Sequence, residues 1–253
     1  MISVGIMTGA VGINVSHELV HRPNKWERFL GKTLLWTVFY THWAVEHVFG
    51  HHRYVATPRD PATSRLGESV YAFLPRSIIG GFASAWRIEA ARLTRLKLRT
   101  WHPRNQILQG LALQIGLAAF FGVVFGPLAI VYYLAQSLVG VSLLEVVNYI
   151  EHYGLARREI AEGRFEQVTP LHSWNASHVV TNYFLFHLQR HSDHHAAPLR
   201  RYQILRHFDE SPQLPAGYAA MVVIALIPPL WYRLMNPRVH DHRAKLAATE
   251  AAA

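Results

Sequence analysis

The chain has 253 residues, 51% of them hydrophobic, no cysteine, and a formal net charge of +9. That length builds one domain or two small ones, and the lack of cysteine excludes disulfides, zinc–thiolate sites and protein-ligated iron–sulfur clusters. The positive charge forms no basic tail in an apolar chain, which argues against a nucleic-acid partner and for basic residues flanking membrane spans.

Met1 to Val15 is apolar and uncharged, with neither the basic start nor the small-residue cleavage site of a signal peptide. Residues 1–16 read as the end of a membrane helix, and so abrupt a start suggests an N-terminally truncated chain. Arg28 to His52 carries a helical period through Leu34, Leu35, Val38, Phe39 and Val45. Ala56 to Glu68, with two prolines and several turn formers, reads as a loop. Ile78 to Leu98 alternates apolar residues with Arg87, Glu89, Arg92, Arg95 and Lys97, the pattern of an amphipathic surface helix.

Ile107 to Leu144 holds no charged residue, and its length is about twice the ~20 residues that one span requires. Gly126-Pro127 near its centre predicts a turn, giving a membrane hairpin over residues 107–147. A hairpin returns the chain to the side it left, so residues 17–104 and 148–240 share one face. The chain from Glu18 to Arg104 and from Glu151 onward holds all 25 Lys and Arg, which makes that face cytoplasmic. Ala219 to Tyr232 is apolar but short and broken by Pro228-Pro229, which suits an interfacial or re-entrant segment.

Three histidine boxes punctuate this plan: His17-Glu-Leu-Val-His21, His47-Val-Phe-Gly-His51-His52 and His191-Ser-Asp-His194-His195, joined by a lone His152 just after the hairpin. Histidines three or four apart on a helix project from one face, so each box offers a pair of imidazoles to one point. Nine such ligands exceed the needs of one ion and suit two first-row transition metals, among which zinc, copper, nickel and iron all accept imidazole. Glu18, Glu46, Glu151 and Asp193 lie beside or within the boxes, where a carboxylate accepts the other ring N–H and orients the ligand. His172 and His178 flank Ser-Trp-Asn-Ala-Ser and are further candidates for lining the site. The first box alone also matches the His-Glu-x-x-His pattern of zinc proteases, with Glu18 as base, but that reading leaves the other clustered histidines unexplained.

Two longer stretches narrow the field. Glu46-His-Val-Phe-Gly-His-His-Arg-Tyr-Val-Ala-Thr-Pro-Arg-Asp-Pro-Ala-Thr-Ser-Arg-Leu-Gly-Glu68 resembles the second box of the bacterial membrane alkane 1-monooxygenases. Asn148-Tyr-Ile-Glu-His-Tyr-Gly154 resembles their extra histidine motif, and Leu188-Gln-Arg-His-Ser-Asp-His-His195 their last box. The resemblance runs from about residue 10 to about residue 238.

It implies an all-α fold: one integral membrane helical bundle over 1–253 with a cytoplasmic helical cap carrying a histidine-rich dimetal site. It implies a non-haem diiron enzyme in the bacterial inner membrane, hydroxylating the terminal carbon of medium-chain n-alkanes with O₂. Electrons would come from rubredoxin and its reductase. Carried over residue by residue, the iron ligands are His17, His21, His47, His51, His52, His152, His191, His194 and His195. Val20 and Arg22 stand where the family usually has Gly and Lys. A xylene-type hydroxylase of alkyl side chains and an inactive metal-binding remnant are the alternative readings.

Overall fold

Long apolar runs separated by Gly, Pro and Asn dictate a mostly helical chain, and the computed structural model, which describes residues 1–251, has that character. The chain folds into two compact units: Met1–Arg53 with Ile78–Glu145, and Tyr54–Ser77 with the chain from Val146 onward.

In the first unit, α1 (Ile2–Met7), a π-helical turn (Thr8–Ile13) and α2 (Asn14–Val20) follow one another without a break. Gly5 and Gly9 let this run approach α8 (Pro127–His152) closely. A Cβ on Gly5 would lie 2.7 Å from the Gln136 carbonyl, and one on Gly9 2.9 Å from that of Gly140. This is the small-residue packing used between membrane helices.

Helix α3 (Lys25–Trp36) begins at Asn24, whose side chain accepts from Trp26 N–H at 2.8 Å. The single helical stretch expected over residues 28–52 is interrupted. Phe39 takes φ 49° and Tyr40 N–H reaches back to the Leu35 carbonyl at 3.2 Å, a Schellman-type stop. The chain restarts as α4 (Trp43–Glu46), passes through a π turn (His47–His51) and ends in α5 (His52–Tyr54).

Helix α6 (Val70–Arg95) starts eight residues before the expected Ile78 and contains Pro75. Helix α7 (Gln106–Phe125) is capped by Asn105, whose side chain accepts from Ile107 and Leu108 N–H at 2.8 and 3.2 Å. Gly126, at φ 86°, turns the chain, and Pro127 opens α8 with its preset φ. Two helices joined by a turn thus occupy residues 106–152, with α8 running five residues past 147 to His152. By length and composition, α7 and α8 can each cross a membrane.

The second unit is built around a core of Phe73, Tyr149, Tyr153, Trp174, Tyr218 and Trp231. Its only strands among the described residues, β1 (Glu159–Ala161) and β2 (Arg164–Phe165), form an antiparallel ribbon with Glu159 opposite Phe165. The expected loop at 56–68 is a loop, but a tightly pinned one. Asp60 accepts from Ala62 N–H at 3.0 Å and Thr63 Oγ1 at 2.6 Å, and Ser64 Oγ donates to the Tyr149 carbonyl at 2.7 Å. Four helices follow: α9 (Val179–Phe184), α10 (His191–Ala196), α11 (Tyr218–Ala225) and α12 (Pro228–Ala251). The break expected at Pro228-Pro229 falls between α11 and α12.

Candidate metal centre

The first unit gathers His17, His21, His47 and His52, each contributing a ring nitrogen within 4.8 Å of the others. His17 and His21 come from consecutive turns of the α2 region, the i,i+4 pairing the box predicts. The second box behaves differently. His47 Nε2 lies 2.9 Å from His21 Nε2 and 3.2 Å from His52 Nε2. The π turn over His47–His51 widens the helix so that residues five apart share a side, and His52 rather than His51 completes the quartet. His51 stacks near-parallel to His47, with ring centroids 5.4 Å apart at 23°.

The second unit gathers His152, His191 and His195 under the same distance limit. His191 Nε2 is the hub: it lies 3.2 Å from His152 Nε2 and 2.9 Å from His195 Nε2. His194 stands outside this trio, its ring 5.7 Å from those of both His191 and His195.

These separations fit a metal. Two nitrogens held about 2.0–2.1 Å from one ion at near-octahedral or tetrahedral angles stand ~2.8–3.4 Å apart. Burial also keeps the rings in the neutral form a metal requires. It is the largest cause lowering His17 and His47 well below the usual imidazole value, followed by neighbouring imidazoles. His21 is lowered to about 3, by burial first and then by Arg22 and His51.

The sequence profile of the fatty acid desaturase family matches residues 1–242. The chain belongs to the fatty acid desaturase family. With α7 and α8 long and apolar enough to cross a bilayer, this family member is a membrane protein. It is 51% identical over 96% of its length to alkane 1-monooxygenase 2 of Pseudomonas aeruginosa, and 49% identical, again over 96%, to alkane 1-monooxygenase 2 of Alcanivorax borkumensis. It is 29% identical over 95% of its length to the xylene/toluene monooxygenase hydroxylase component of Pseudomonas putida. The chain spans 65%, 63% and 64% of the lengths of these three relatives, respectively.

Around the histidines of this desaturase-family chain, the four acids have distinct surroundings. Glu18 pairs with Arg22 at 3.0 Å. Glu46 is buried, and its carboxylate lies under Gly50. Asp193, fully buried, accepts from Arg206 N–H at 2.8 Å and pairs with the Arg200 guanidinium. Glu151 reaches His191 on the cluster side: its Oε2 is 3.2 Å from Nε2, the same nitrogen that faces His152 and His195.

His172 is drawn to a different task. Its Nδ1 accepts from Thr169 N–H at 3.0 Å and its Nε2 lies 3.3 Å from Glu166, closing a short turn. His178 stands at the N-terminus of α9. Trp43 is the residue the boxes do not reveal: its indole stacks on His47 with centroids 4.3 Å apart at 18°. The spacing Trp43-x-x-x-His47 was the available signal, since residues four apart share a helix face. The first unit also holds an apolar groove of about 410 Å³, lined in part by Val38, Phe39, Ile78, Phe82, Leu138 and Val141.

Proposed function

We propose that the chain is the catalytic portion of a bacterial inner-membrane alkane 1-monooxygenase, with its metal ligands on the cytoplasmic side. The observation that carries this reading is two all-imidazole clusters, buried except for a half-buried His52, in a chain about 50% identical to proteins named alkane 1-monooxygenase. Two irons suit these donors, with His17, His21, His47 and His52 as one set of ligands, His152, His191 and His195 as another, and His51 and His194 completing the nine. Bound iron would supply the activation of O₂, one atom of which enters the terminal C–H bond while the other leaves as water.

The protein's own contribution is to hold neutral, preoriented imidazoles away from bulk water and to keep carboxylates such as Glu151 beside them. The apolar groove of the first unit suits an alkyl chain. Identity of 51% to an alkane 1-monooxygenase against 29% to the xylene/toluene enzyme supports an n-alkane over an alkylbenzene as substrate, and the reading takes that alkane to be of medium chain length. With no cysteine to ligate an iron–sulfur centre in these 253 residues, the reading takes electrons from an external carrier, rubredoxin with its reductase.

Metal analysis of detergent-purified protein, paired with an octane assay containing rubredoxin and its reductase, tests the reading. Two irons per chain and 1-octanol are expected. Benzylic alcohol from xylene with no octanol would replace the alkane assignment, and one zinc without iron would overturn the diiron assignment.

A further inference from the structure

Torsion about the Cβ–Cγ bond of histidine is broad, without the steep staggered wells of an sp³–sp³ bond, so a ligand ring must be held in plane by its neighbours. In the first unit, His47 Nε2 faces both His21 and His52, at 2.9 and 3.2 Å. A modest rotation of that ring would move its nitrogen out of the quartet. The Trp43 indole lies flat on His47, 4.3 Å away and within 18° of parallel, and Trp43 is only 4% exposed. The same indole touches the first box: its ring lies 5.9 Å from that of His17, tilted by 50°. One rigid side chain thus contacts ligands of two boxes that are 30 residues apart in the chain.

We propose that Trp43 is a positioning residue: its face fixes the plane of the His47 imidazole and the spacing of His47 from His17, and so sets the metal affinity of the quartet. Planarity is the operative property. A leucine would fill part of the volume but would let the imidazole turn, whereas a phenyl ring would preserve an offset stack. This inference rests on the quartet being a metal site, as the proposed function requires.

The test uses the full chain in detergent, titrated with Co(II), whose visible spectrum reports ligand geometry. The wild-type protein should bind two equivalents. Trp43→Leu should weaken one equivalent about tenfold or more, with a changed visible spectrum, because supports of ligand orientation are commonly worth 10–100-fold in affinity. The other equivalent serves as an internal control and should keep its wild-type affinity. Trp43→Phe should return the affected site to within about threefold of wild type. If Trp43→Leu does not fold, Trp43→Met replaces it as the non-planar variant.

Two unchanged equivalents with an unchanged spectrum in the non-planar variant would overturn the inference. So would equal weakening of both, which marks a general loss of structure. Wild-type protein that binds no Co(II) would sink the metal reading and this inference together. Two Co(II) equivalents with the expected Trp43 effect, but no octanol from the iron-loaded enzyme, would leave the inference standing and remove the alkane assignment.

Discussion

His47 and His52 are five residues apart, yet their Nε2 atoms face each other across 3.2 Å. On a regular α-helix, five residues advance about 500°, leaving the two side chains ~140° apart around the axis. The π turn removes that mismatch. His52→Ala should therefore lower metal affinity at the quartet by at least about tenfold, while Arg53→Ala, at an exposed neighbouring position, leaves metal content unchanged. Metal analysis after dialysis against a weak chelator separates the two outcomes.

Gly50 lies inside the same π turn, and a Cβ there would stand 2.5 Å from Glu46 Oε1 and 3.1 Å from Ile88 Cδ1. Gly50→Ala must displace a buried carboxylate, which costs about 1–3 kcal/mol, as overpacking does. Thermal unfolding should show a drop of several degrees. An unchanged midpoint would mean that Glu46 swings clear without cost.

Asp193 carries no exposed surface and holds two arginines: the backbone N–H and side chain of Arg206, and the guanidinium of Arg200. Asp193→Asn keeps the shape and removes the charge. Because Arg200 reaches solvent, the loss should be roughly 1–3 kcal/mol, below that of a fully buried pair. Chemical denaturation of metal-free protein measures it, and a loss under ~0.5 kcal/mol would show that hydrogen bonding alone holds these arginines.

His42 gives a pH dependence of definite sign. Burial lowers its pKa from 6.5 to about 4, with its ring set edge-on to Tyr40 and Phe82. Above pH 6.5 both folded and unfolded His42 are neutral, and its contribution is fully present. As pH falls through the window from 6.5 to 4, the unfolded chain takes the proton first and stability declines, by roughly 3 kcal/mol across the whole window. His42→Phe, which does not titrate, should lose less stability than wild type between pH 7 and pH 5. Parallel curves for the two proteins would assign the acid sensitivity to other groups.

Much of this arrangement is readable in the residues. The uncharged run from Ile107 and the Gly126-Pro127 break specify the hairpin, because charge, φ > 0 and a missing N–H act locally. The His17/His21 pairing follows from α-helical spacing alone. The second box resists that reasoning, since a π turn has no sequence signature of its own and reassigns the partner of His47 from His51 to His52. Phe39 at positive φ escapes a periodicity argument because an aromatic residue is not expected there. Trp43 and Glu151 look like ordinary core and flanking residues until their ring plane and carboxylate are seen against His47 and His191.

Asn175 links three separated stretches of the second unit. Its side chain donates to Ser192 Oγ at 2.6 Å and Ser211 Oγ at 2.7 Å and accepts from Ser192 N–H at 2.9 Å, while its backbone carbonyl accepts from Leu214 N–H at 2.7 Å. Helix α10, with only six residues, is far too short to persist in isolation. The position of the last histidine box therefore rests on segments some forty residues apart meeting at one amide. The third box thus depends on contacts distant in sequence, whereas the His17/His21 pair needs only its own helix.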